Sequence, residues 1–358
     1  SMSGLTYTIA EGHTIDEFLA AMCGQREIFA LQAGEDDQFH LVRTAAWDGE
    51  RLTLGAYRQI EPLKSIFCPP REFFGPTLDE SHRDPLPERI VIGVKNCDLA
   101  GLKIQDHIFG ELPPGDPNYI EARQRTFIVT CDCTGCRETC FCPIVGQKPY
   151  AESGYDINIS PVSDTYLIEA GSPRGEQCLR ELSEFLQGAG EKALRQRQDC
   201  REALTERLIS QSARHGLEPG MDLSAAVRGA KDQAMWGEIA EDCVECGACN
   251  FACCTCHCFQ LVDGVVDGVA VRGKQWDGCL LMNFARVAGG GNPRPGRAKR
   301  LQNRFVKKFD YFPEVLDCYA CDGCGRCTEV CTGNIDIRDV LKRAADETES
   351  LHADPGHD

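Results

Sequence analysis

The chain has 358 residues, with 38 Lys+Arg against 55 Asp+Glu, a formal net charge of −17. An acid-rich chain is a poor polyanion binder, so nucleic acid is not an expected partner, and no uncharged apolar run of about 18 residues is present, which excludes a membrane-spanning helix. The outlying quantity is 23 cysteines, an odd number in a long chain whose start shows no basic stretch followed by an apolar one. The expectation is a cytoplasmic protein with reduced thiols serving as metal ligands, in preference to a secreted disulfide framework.

At roughly 150 residues per domain the length suggests two or three domains. From Tyr7 to Tyr166, short β-type runs (RLTLGAY, ERIVIGVK, RTFIVT, DTYLIEA) alternate with Gly/Pro clusters such as FCPPREFFGP. This predicts a mixed α/β domain over residues 1–173. Over 174–240, Leu179, Leu182, Phe185 and Leu186 stand at helical spacing among many charged residues, predicting a helical linker. A second, mostly helical domain is expected over 241–345, followed by a polar, frayed tail at 346–358. The class is therefore α+β.

Most cysteines fall in three groups, at 131–142, 243–258 and 318–331. Two runs share one spacing: Cys243-x2-Cys246-x2-Cys249-x3-Cys253 and Cys321-x2-Cys324-x2-Cys327-x3-Cys331. This is the ligand run of two-cluster bacterial-type ferredoxins, in which three thiolates wrap one cubane and the fourth, entering a helix, reaches the other. The expected sets are Cys243, Cys246, Cys249 and Cys331 on one 4Fe-4S cluster, and Cys321, Cys324, Cys327 and Cys253 on the second. Gly247, Gly323 and Gly325 suit a backbone turning its amides toward sulfide. Structural zinc prefers separated CxxC pairs and fits these runs badly. The proline that often follows the fourth cysteine is replaced by Cys254 and Thr332. The 68 residues from Cys253 to Cys321 predict an insertion, with helices at 280–288 and 298–309.

Several longer strings carry a resemblance: GVKNCDLAGLKIQD at 93–106, TCFC at 139–142, GYDINIS at 154–160, TCHCF at 255–259, WDGC at 276–279, AGGGNPR at 288–294 and CDGCGRC at 321–327. With them the chain resembles, over nearly its whole length, the A subunits of anaerobic sulfite reductases and the β subunits of sulfhydrogenases. The resemblance implies an electron-transfer subunit working between a flavin-bearing subunit and a catalytic redox subunit. It also implies a third 4Fe-4S cluster on Cys97, Cys133, Cys140 and Cys142. Cys131 and Cys136 are the alternatives for this set, and a zinc site or free thiols the alternative occupancy.

Cys256, His257 and Cys258, with the distant Cys279, could build a further metal site or face a partner's cofactor; His257 is read as a hydrogen-bond donor or surface residue. Cys23, Cys68, Cys178 and Cys200 are read as small buried hydrophobes. Seven positive charges at 294–308 either act on nearby clusters or guide a partner, or else form one solvated helix face. Trp276 and Phe284 are read as packing residues. Neither GxGxxG after a strand nor GxxxxGK[ST] occurs, so no nucleotide site is expected. Two other functional classes compete: an enzyme acting at its own cluster or thiols, which the complete quartets disfavour, and a zinc-stabilised scaffold.

Overall fold

The structure, a computed structural model, describes residues 6–35, 37–74 and 85–353. Twelve strands are present among them: β1 Thr6–Ile9, β2 Glu27–Ala33, β3 Phe39–Thr44, β4 Leu52–Thr53, β5 Arg71–Phe73, β6 Arg89–Val94, β7 Thr126–Cys131, β8 Ile157–Val162, β9 Thr165–Ala170, β10 Leu186–Gly188, β11 Phe259–Val266 and β12 Val269–Trp276. Nine of them form one sheet in the order β10-β1-β9-β8-β7-β6-β2-β3, with β4 beside β2. The centre is parallel (β2, β6, β7, β8) and the flanks antiparallel.

The central strands are continuous apolar runs, RIVIGV in β6 and TFIVTC in β7, because helices cover both faces. On one face Phe18, Leu19 and Met22 pack with Cys178 and Leu179; on the other lie Leu63, Phe67, Leu102 and Tyr119. Of the expected strand RLTLGAY only β4 forms, since the chain turns at Gly55, φ +67°.

The helical periodicity at 179–186 is interrupted. The helix Pro173–Glu181 stops, and Leu186 enters β10, which pairs with β1. The remaining linker is helical: Glu191–Ala213, Leu223–Gly229 and Met235–Asp242. The long helix buries only Leu204, Leu208, Gln211 and Ser212, all in its second half, so Cys200 is exposed and not the buried hydrophobe expected.

The C-terminal core gathers Leu223, Trp236, Phe305, Phe309 and Leu341, together with Phe141 and Ile144 from the first half of the chain. Between the two cysteine quartets, β11 and β12 form a hairpin whose second strand pairs with β5. Residues 280–288 are turns, not the expected helix; the helix Arg297–Val306 is present and continues as a π-helical turn, Lys307–Tyr311. At the C-terminus, the helix Ile337–Ala353 runs through most of the segment expected to fray; residues 354–358 lie outside the described residues. Among the described residues no helix is long and apolar enough to cross a membrane.

Candidate metal centres

The two quartets fold as copies of each other. Glu245 and Gly323, both two residues after a first cysteine, have φ of +59° and +64°. Gly247 and Gly325, after each second cysteine, have φ/ψ of 72°/−1° and 73°/−4°, and each opens a four-residue helix. At Glu245 the left-handed backbone is held by an ion pair with the buried Arg300.

Cys243, Cys246, Cys249 and Cys331 line one cavity, with apolar walls from Leu280, Leu301 and Phe305. Cys331 thus joins the first three thiols of the other quartet. Cys253, Cys321 and Cys324 are buried and Cys327 is half-buried beside them, each within electrostatic reach of at least one other. Lys308 enters this group, donating to Cys253 Sγ at 3.3 Å and Thr255 Oγ1 at 2.7 Å.

The N-terminal cysteines meet through sheet topology. Cys97 opens the helix that follows β6, and Cys133, Cys136, Cys140 and Cys142 lie in the loop that follows β7. These strands are adjacent and parallel, so their carboxyl ends converge, the usual place for a site in an α/β sheet. All five thiols line a second cavity. Cys131 does not; its thiol turns back to the Asp132 carbonyl at 3.4 Å.

This loop is docked on the second quartet. Phe141 N–H donates to the Gly323 carbonyl at 2.8 Å, and a Cβ at Gly323 would stand 2.5 Å from Cys142 backbone. Glycine is therefore required twice, by its φ and by the approach. Arg326 and Asp98 form a fully buried ion pair at 2.6 Å across the same seam. Arg58 bonds the Cys324 carbonyl at 2.6 Å and Glu329 at 2.8 Å.

A single tetrahedral ion makes a tighter demand on the donor set. Zn–S bonds of ~2.3 Å bring the sulfurs of one ion to roughly 3.8 Å from each other. Among the described residues, the single group of three potential ligands within 4.8 Å is His215, Asp336 and Asp339, and no cysteine trio qualifies. In that group Asp336 is engaged by Arg338 at 2.6 Å. Among the described residues the cysteines are therefore not gathered on a single tetrahedral ion.

Burial works against isolated thiolates: it pushes Cys133 up to about 12, Cys140 to about 11 and Cys327 to about 12. A bound metal must displace these protons. Cys324 moves the other way, to about 6, because Cys254 hydrogen-bonds to it. Burial disfavours the charge on Lys308, yet its pKa lies above the usual lysine value because Cys253, Cys256 and Cys321 outweigh that cost.

The basic stretch resolves into two faces. Arg300, Arg304 and Lys308, four residues apart, are buried; Arg300 bonds the Leu280 carbonyl and pairs with Glu245 of the first quartet loop, while Arg304 donates to Cys256 Sγ at 3.5 Å and to the Cys249 carbonyl at 3.1 Å and Lys308 to Cys253 Sγ. Arg294, Arg297 and Lys299 do not share that burial. The i, i+4, i+8 spacing was the available signal for this division. Asn250, also missed, donates to Cys256 and Cys279. Trp276 is a packing residue, lying parallel to Phe251 and donating to the Cys68 carbonyl at 2.9 Å.

Residues 242–335 match the 4Fe-4S dicluster domain family. The repeated quartets and this match define an iron–sulfur protein. The chain is 32% identical over 295 residues to the sulfhydrogenase 2 subunit beta of Pyrococcus furiosus, covering 82% of this chain and 85% of that protein. It belongs to the family of sulfhydrogenase β subunits.

Proposed function

We propose that this chain is the electron-carrying subunit of a multi-subunit redox complex, working between a flavin-bearing subunit and a catalytic subunit of the hydrogenase or sulfite reductase type. The reading rests on one observation: the thiol-lined cavities are contiguous. Cys324 lines the N-terminal cavity as well as belonging to the second quartet, and Cys327 of that quartet lines the cavity of the first. The relative's name, a subunit of a sulfhydrogenase, supports an assembly with other chains.

Two cubanes on the crosswise quartets and a third on Cys97, Cys133, Cys140 and Cys142 are the proposed cofactors. Such clusters, when bound, accept and release single electrons. The protein's part is to fix them and set their electrostatics. Arg58, Arg304, Lys308 and Arg326 are buried against the cysteines and offset the negative charge of thiolates. The division into an α/β domain over 1–173, a linker over 174–240 that is helical apart from β10, a dicluster domain over 241–345 and a polar tail remains part of this proposal, as does a cytoplasmic location.

Anaerobic co-purification from the native host tests it. The expected result is a flavoprotein and a catalytic redox chain in fixed ratio with this one. A chain isolated alone that itself turns over sulfite or hydrogen overturns the reading.

A further inference from the structure

A third thiol-lined cavity lies beside the second quartet and takes none of its ligands from either run. Cys256, Cys258 and Cys279 line it, with His257, Arg304 and Lys307. Three sequence-distant elements meet here: the loop after Cys253, the turn that follows β12, and the helix carrying the basic residues.

We propose that this cavity holds a further iron–sulfur cluster, bound by Cys256, Cys258, Cys279 and Nε2 of His257. The proposal goes beyond the two quartets and the N-terminal set, and it does not depend on the identity of partner subunits.

The polar groups around the thiols are arranged as they are around metal-bound sulfur. Asn250 is buried inside the domain, and its one amide nitrogen donates to both Cys279 Sγ at 3.5 Å and Cys256 Sγ at 3.7 Å. Arg304 directs a guanidinium N–H to Cys256 Sγ at 3.5 Å. Cys258 and Cys279 are close enough to hydrogen-bond to each other. Buried donors and a buried cation converging on sulfur stabilise thiolates, and they stabilise little else in an apolar interior.

The imidazole is set for the fourth position. His257 Nδ1 lies 3.1 Å from the Thr255 carbonyl, an acceptor, so Nδ1 carries the proton. The lone pair then sits on Nε2, which attracts the Lys307 ammonium at 3.1 Å. A ring whose second nitrogen is pinned by a backbone carbonyl is the usual state of a metal-bound histidine. Thr255 is itself anchored, donating to the Ala320 carbonyl at 2.6 Å.

Among the described residues no cysteine trio lies within 4.8 Å, so the three thiols are not gathered on one tetrahedral ion, although the Cys258–Cys279 pair by itself is close. The cavity also adjoins the dicluster core: Arg304 lines both this cavity and that of the first quartet, and Lys308 lines it while donating to Cys253 Sγ.

The test uses the full chain, reconstituted anaerobically with iron and sulfide, with iron, acid-labile sulfide and zinc measured together. Four cubanes give about 16 iron per chain, and three give about 12. Cys279→Ser and Cys258→Ser are each expected to lower the wild-type value by about 4, while the exposed Cys200→Ser leaves it unchanged. Wild-type protein holding about 12 iron, or the same iron in Cys279→Ser as in wild type, overturns the proposal. So does one zinc per chain that disappears in Cys279→Ser.

A spectroscopic measurement covers the case in which serine variants fail to fold. Pulsed EPR of reduced wild-type protein is expected to show the strong nitrogen coupling of a directly bound imidazole. That coupling is expected to vanish in His257→Cys while iron stays near the wild-type value. Its absence from wild type overturns the histidine assignment. Failure of the dicluster reading is separately visible, as unchanged iron in Cys324→Ser.

Discussion

The C-terminal quartets and the N-terminal cysteine group bring thiols together by different means. Each quartet is local: seven residues and two left-handed backbone positions place three thiols on one loop, whatever the rest of the chain does. The N-terminal group is topological: Cys97 and Cys133 are brought together only when β6 and β7 pair in parallel. A site built locally is written in its spacing, whereas one built by a sheet depends on long-range pairing and on what docks against it.

Serine substitutions probe this difference most strongly. Cys324→Ser and Cys140→Ser are each expected to cost about 4 iron per chain, measured by iron and sulfide analysis after anaerobic reconstitution. If the two regions are independent centres, the double variant loses the sum. Equal loss in single and double variants means one shared centre and collapses the comparison.

The seam between the regions comes next. Arg326→Leu leaves Asp98 charged and unpaired in a fully buried position. The expected cost is about 3–5 kcal/mol of stability, read by chemical denaturation of the anaerobic protein. An unchanged midpoint removes the buried pair from the seam.

A smaller effect is pH-dependent. Burial raises Glu329, but Arg58, Thr139 and Arg137 more than offset it and hold the carboxyl below its ordinary value of 4.5. A depressed carboxylate stabilises the fold above the unfolded pKa, and that contribution disappears as pH falls below about 4.5. Glu329→Gln is expected to flatten the acid limb of the stability profile by about 1 kcal/mol or less. A wild-type and variant profile with the same acid slope contradicts the assignment.

Cys136→Ser is expected to change least. Its thiol faces Gln211 Oε1 at 3.6 Å within the five-thiol cavity, and iron content is expected to stay at the wild-type value. A loss of about 4 iron there moves Cys136 into the ligand set in place of one of the other four.

Much of this arrangement was legible in the sequence, and the misses have physical causes. The apolar runs of β6 and β7 read directly as buried strands, and the identical quartet spacing is the ground for the crosswise ligand sets proposed above. Leu186 was misread as helical because three-residue spacing is blind to β1, the strand that recruits it. The hairpin β11–β12 passed unnoticed because it is largely exposed and carries no clean alternation. Cys200 looked like its buried counterparts because a 23-residue helix that packs only at one end shows little amphipathic pattern elsewhere. The i, i+4, i+8 spacing of Arg300, Arg304 and Lys308 marked them as one helix face, but that this face is the buried one depended on long-range packing.

The contact at Gly323 carries a consequence for biosynthesis. Arg58 and Cys324, which share that seam, are 266 positions apart. Since domains generally form from the N-terminus during synthesis, the first thiol loop is complete long before the segment that caps it leaves the ribosome. Until then its sulfurs have no lid. That interval is the window in which an assembly factor can reach them, and closure of the seam ends it.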